Sequence, residues 1–143
     1  MKFGTAQLVK LVRRIEKKHR KLHLVMEELG RHGFKYLSEG CYKAVYEHPK
    51  RPEWVVKVYK DDYGWEYDSN KPPPKPLKKH WLKPIFQNKR VMIQRKVDKT
   101  DRGAASDQLR EIAAKHYKCR NFDLHAANCA FVDGKPMFFD YLS

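Results

Sequence analysis

The sequence predicts an α+β fold: one helix, a five-stranded antiparallel sheet, then a second helix and a hairpin. Apolar residues recur at helical spacing between Thr5 and Arg31. Short runs rich in β-branched and aromatic residues follow between Phe34 and Gln94, separated by turn residues. Near the end, two apolar runs flank Asp133-Gly134, a dipeptide that supplies the positive φ angles of a tight hairpin.

Each element has its own signal. In the first helix, Leu8, Leu11, Val12, Ile15, Leu22, Val25, Met26 and Leu29 make one apolar stripe. Lys10, Arg13, Arg14, Lys17, Lys18, Arg20 and Lys21 fill the other faces. Thr5 is the expected N-cap, and Gly30 or Gly33 the stop. Such a helix packs its stripe on a sheet and leaves a basic exterior, which also suits contact with nucleic acid or an anionic membrane surface. Strands are expected at 34–38, 43–47 and 54–60, with a turn at Pro49-Lys50-Arg51-Pro52. The Lys/Pro stretch near residue 75 argues against a long helix there. Pro84–Gln87 and Arg90–Gln94 then flank Asn88-Lys89 as a further hairpin, completing five strands. A helix over about 106–117, with Leu109, Ile112, Ala113 and His116 on one side, leads to Cys129–Val132 and Lys135–Phe139.

Composition sets the class. A chain of 143 residues can bury one core but not two full ones. Three cysteines at no regular spacing and no apolar N-terminal leader imply a reducing, cytoplasmic setting. No stretch approaches the roughly 20 apolar residues of a membrane span. The net charge of +14 attracts polyanions, among them nucleotides, nucleic acid and acidic proteins, without choosing between them.

The chemistry concentrates in two places. Asp123, Asn128 and Asp140 bracket the final hairpin, which folds Asp140 back towards Asn128. An amide oxygen and a carboxylate, completed by phosphates and waters, suit Mg²⁺, and Asp123 in the preceding loop could accept a proton from an attacking hydroxyl. Upstream, the Gly40-containing loop joins two strands, and the next strand, Trp54-Val55-Val56-Lys57-Val58-Tyr59, carries a single Lys. That arrangement describes a phosphate lid with a cation beneath it.

On these motifs the chain resembles the protein-kinase-like superfamily. The Gly-rich loop of that family lies over Ser38-Glu39-Gly40-Cys41-Tyr42-Lys43-Ala44-Val45, its strand lysine on Lys57, its D-x-x-x-x-N catalytic loop on Asp123 and Asn128, and its D-F-G acid on Asp140. The Asp123-Leu124-His125 form is similar to the aminoglycoside phosphotransferase and atypical kinase branches. The resemblance implies a small lobe over 34–97, an added basic helix over 1–33 and a truncated large lobe over 98–143. It implies that Ser38, Gly40, Lys43, Val45 and Lys57 hold ATP, that Gln94 and Lys96 belong to the adenine-binding hinge, and that Asp123 is the catalytic base. Asn128 and Asp140 would bind Mg²⁺, with Glu66 pairing with Lys57.

Several positions depart from the pattern. Ser38 and Lys43 replace the outer glycines, Asn121-Phe122 stand where His-Arg is usual, and Tyr141-Leu142-Ser143 follow the last acid. The implied function is ATP- and Mg²⁺-dependent transfer of the γ-phosphate to a hydroxyl, most naturally a Ser or Thr of a protein. The alternatives are a pseudokinase that binds and regulates a partner protein, and a basic nucleic-acid-binding protein. A partner, a second copy of the chain or the N-terminal helix would then position the acceptor. His116, Cys119, His125 and Cys129 also have ligand-like spacings for zinc, although His125 belongs to the catalytic loop and Cys129 to a strand.

Overall fold

The computed structural model describes residues 3–39, 43–59, 73, 75–97, 100–116, 124 and 126–139. The chain forms two compact units, Met1–Tyr67 with Pro84–Lys96, and Asp68–Lys83 with Val97–Ser143.

The first unit holds α1 (Thr5–Lys18), α2 (Leu22–Arg31) and strands β1 (Lys35–Glu39), β2 (Lys43–His48), β3 (Arg51–Tyr59), β4 (Phe86–Gln87) and β5 (Val91–Arg95). The sheet is antiparallel in the order β1-β2-β3-β5-β4. One face carries Ala44, Tyr46, Val56, Val58, Val91 and Ile93 against Leu8, Val12, Ile15, Val25 and Leu29 of the helices. Burying a side chain such as Ile15 or Leu29, each fully enclosed, contributes about 1.5–3 kcal/mol.

The single helix expected over 5–31 is two. His19 has extended backbone, ending α1, because the apolar stripe lapses at Lys18-His19-Arg20-Lys21 and no core contact holds that turn helical. Arg90, from the β4–β5 turn, takes over the loose end: its Nη1 donates to the His19 carbonyl at 2.8 Å and to the Glu16 carboxylate at 3.3 Å. Gly4 rather than Thr5 is the N-cap, its N–H donating to Gln7 Oε1. At the other end Gly33 does stop α2. It sits at φ +87°, with the Phe34 N–H returning to the Leu29 carbonyl and the Gly33 N–H to Gly30, the paired bonds that close a helix on a left-handed residue.

The second unit contains a single helical turn, α3 (Lys75–Lys78), then α4 (Arg102–Ala114), a 3₁₀ turn (Ala126–Asn128) and the hairpin β6 (Cys129–Val132) and β7 (Lys135–Phe138). The hairpin turn is as expected, with Asp133 at φ 52° and Gly134 at φ 78°. α3 lies in the Lys/Pro stretch, where one turn fits because Pro76 stands early in it and its missing N–H leaves no bond unmade. α4 begins four residues before the expected Ser106, and its last residue, Ala114, precedes the exposed His116. Leu77, Trp81, Leu109, Leu124, Cys129 and Phe138 make this unit's core. Residues 80–82 run beside β7, the Leu82 N–H donating to the Phe138 carbonyl and the Phe138 N–H to His80.

Candidate functional site

The second face of the five-stranded sheet gathers residues that the sequence singles out separately. Register places Ser38 opposite Val45, Val45 opposite Lys57, and Lys57 opposite Met92, in one row across four strands. Directly opposed residues of an antiparallel sheet share a face. One step along, Lys43 opposes Tyr59 and Val55 opposes Gln94. Ser38, Lys43, Val45, Lys57 and Gln94, from four strands, therefore come together.

Lys57 is the chemical centre of this face. It is 8% exposed, and its ammonium donates to Gln94 Oε1 at 2.8 Å. Gln94 itself is 2% exposed. Taking an ammonium out of water costs several kcal/mol unless acceptors or counter-charges replace the lost hydration, and the Gln94 amide oxygen is one such acceptor. Lys43 adds a second, half-buried cation on the same face. Lys96 is exposed, and its ammonium pairs with the Glu47 carboxylate while its N–H donates to the Glu53 carbonyl at 2.8 Å.

The pairing of Lys57 with Gln94 is what sequence reasoning missed. Gln94 is expected in the hinge for its backbone, whereas its side chain serves the lysine. The signal was present: Met92 and Gln94 alternate onto the face that Lys57 occupies once β3 and β5 are paired.

In the second unit, Asn128 closes the 3₁₀ turn, half-buried, and its carbonyl accepts the Phe139 N–H at 2.9 Å. That bond ties the residue before β6 to the end of β7, as the expected hairpin requires. The Leu124 carbonyl accepts from the buried Ser106 hydroxyl and from Cys129 Sγ at 3.4 Å. Leu124 is thus held from α4 and from β6. Ser106 had no place among the site residues read from sequence. Gly40, Glu66, Asp123 and Asp140, together with Cys119 and His125, lie outside the described residues.

Among the described residues, no three His, Cys, Asp or Glu side chains cluster to hold a metal, and Cys129 spends its thiol on Leu124. Asn128 carries an amide oxygen, a ligand type that Mg²⁺ accepts alongside waters and phosphates. No helix among the described residues is long and apolar enough to cross a membrane. Comparison with known protein families gives no match, and comparison with curated proteins gives none either.

Proposed function

We propose that this protein is an ATP- and Mg²⁺-dependent phosphotransferase of kinase-like design, acting on a hydroxyl acceptor such as a protein Ser or Thr. The observation that carries the reading is Lys57: a buried lysine on the third strand of a five-stranded antiparallel sheet, the strand context in which a phosphate-holding lysine is expected. Its alignment with Ser38 and Val45 supports a lid over the same face.

In this reading Lys57 binds phosphate oxygens and Gln94 fixes the direction of its amine. Lys43 contributes charge where the resemblance expects a glycine. Asn128 and Asp140 hold Mg²⁺, which neutralises charge on the transferring phosphoryl group. Asp123 orients the acceptor hydroxyl and takes its proton, and Ser106 and Cys129 steady the backbone beside it through Leu124. Catalysis of this type is mostly positioning and electrostatics, so rigid supports count as much as the reacting groups.

Melting with and without ATP and Mg²⁺ tests the binding half of the proposal. Ligand at about 100 times its dissociation constant stabilises by about 2.7 kcal/mol, a rise of several degrees for a chain of this size. The wild type should show the rise and Lys57→Met should lose it; equal rises in both would refute the role given to Lys57.

A second reading, a pseudokinase-like binding module, draws on Ser38 and Lys43. Side chains at these positions restrict how closely backbone approaches phosphates. It predicts the ATP-dependent rise without any transfer.

A further inference from the structure

The outer face of α1 carries Lys10, Arg13, Arg14, Lys17 and Lys18 around one open depression of about 520 Å³. All five are exposed. Lys18 is paired with Glu28 at 3.0 Å, and Arg13 lies over the Phe86 ring at 5.5 Å. Among the described residues, Lys10, Arg14 and Lys17 have no carboxylate partner. Acids are nearby in the sequence but committed elsewhere: Glu16 to Arg90 and Glu28 to Lys18 and His19. The unit has therefore left Lys10, Arg14 and Lys17 unneutralised on one side.

We propose that this face is a docking surface for the phosphate backbone of duplex DNA, an activity separate from the phosphotransferase reading. The cations form three tiers, Lys10, then Arg13 and Arg14, then Lys17 and Lys18, about 5 Å apart along the helix axis. A linear, evenly spaced array of positive charge complements a linear, evenly spaced array of phosphates, and two of the five are guanidiniums suited to bidentate phosphate contact.

Other occupants fit less well. An interfacial membrane helix must bury its apolar face in lipid, and here Leu8, Val12 and Ile15 are spent on the protein core. Single strands are held by aromatic stacking platforms, yet Tyr46 and Tyr59 are buried and Trp54 packs against the core. Phe86 is covered by Arg13. The face offers cations alone, which position a duplex without reading its bases.

The full chain should be titrated with a labelled 20-base-pair DNA duplex and with one of its strands, across a series of salt concentrations. Four phosphate contacts, Lys18 being held by Glu28, predict a slope of log K against log salt of about −3.6. Lys10→Ala/Arg14→Ala/Lys17→Ala should flatten the slope by about 2.7 units and weaken binding at least tenfold. Lys78→Ala/Lys79→Ala/Lys83→Ala, which removes three exposed lysines of the second unit, should leave both nearly unchanged. Equal losses from the two triple variants would mean that only net charge matters, and would overturn the proposal. So would tighter binding to the single strand, or no duplex binding at low salt. Melting of both variants checks that each remains folded.

Discussion

Lys57 and Gln94 concentrate the account at the scale of single residues. A hydrogen bond to a charged group contributes about 1.5–3 kcal/mol, and a contact pair couples by about 0.5–3 kcal/mol. A double-mutant cycle of Lys57→Met and Gln94→Leu, followed by urea unfolding, should return a coupling above about 1 kcal/mol. A value near zero would make the bond incidental. Two titrations are separable at this scale. His48 is packed between Phe3, with ring centroids 4.4 Å apart, and Phe34 at 4.9 Å. Burial first, with nearby Lys50 a lesser cause, pulls its imidazole below the ordinary histidine range, against a bond to the His32 carbonyl. A depressed folded pKa means that the native state resists protonation. His48's contribution is complete above about pH 6.5 and falls away as the pH drops through the lowered value. His48→Phe should therefore weaken the loss of stability between pH 7 and 5. Glu28 acts in a lower window. The His19 hydrogen bond at 2.8 Å, then that from Lys18, hold its carboxyl at about 2, so its contribution is present above about pH 4.5 and lost on acidification towards 2. Glu28→Gln should flatten that part of the curve.

Elements show which signals in a sequence are local. The five strands and the Asp133-Gly134 hairpin were legible because alternation and turn chemistry act between near neighbours. Gly134 sits at φ +78° with open space around it, so Gly134→Ala should cost about 1–2 kcal/mol from backbone strain alone, measured as a shifted denaturation midpoint. The break between α1 and α2 was not legible. It depends on Arg90, 71 residues beyond His19, and no periodicity within residues 5–31 reports a cap supplied from so far away. The start of α4 was missed for a related reason. Asp101 enters the helix from the left-handed region without a side-chain cap, and Ser106, a residue usually found at helix starts and turns, is instead interior and bonded to Leu124. Ser106→Ala should destabilise the protein by about 1 kcal/mol, because the buried Leu124 carbonyl keeps only the weaker thiol donor. Under the proposed function it should also lower kcat more than it raises the KM for ATP, since it supports the loop bearing Asp123 rather than the phosphate-binding strand.

At the scale of the whole molecule, two properties were visible in the chain before any coordinates. The net charge of +14 sets up a field that attracts polyanions, and the order of the Gly40, Lys57, Asn128 and Asp140 motifs carries the resemblance on which the proposed nucleotide site rests. What the sequence could not convey was the sharing of labour between sheet faces. One face of β2, β3 and β5 makes the hydrophobic core with α1 and α2, which releases the other to carry Lys43, Lys57 and Gln94. The grouping of residues 68–83 with the C-terminal unit was equally out of reach, because it rests on backbone bonds from His80 and Leu82 to Phe138. Such pairing leaves no periodic trace in either segment. The central claim is transfer of a phosphoryl group, and transfer of labelled γ-phosphate from ATP in the presence of Mg²⁺ tests it most directly. The wild-type chain should label itself or a protein in host-cell extract, with Asp123→Asn slower by about 10²–10⁴ at unchanged stability. Label incorporated equally by the wild type and by Asp123→Asn, or by neither, would contradict the account.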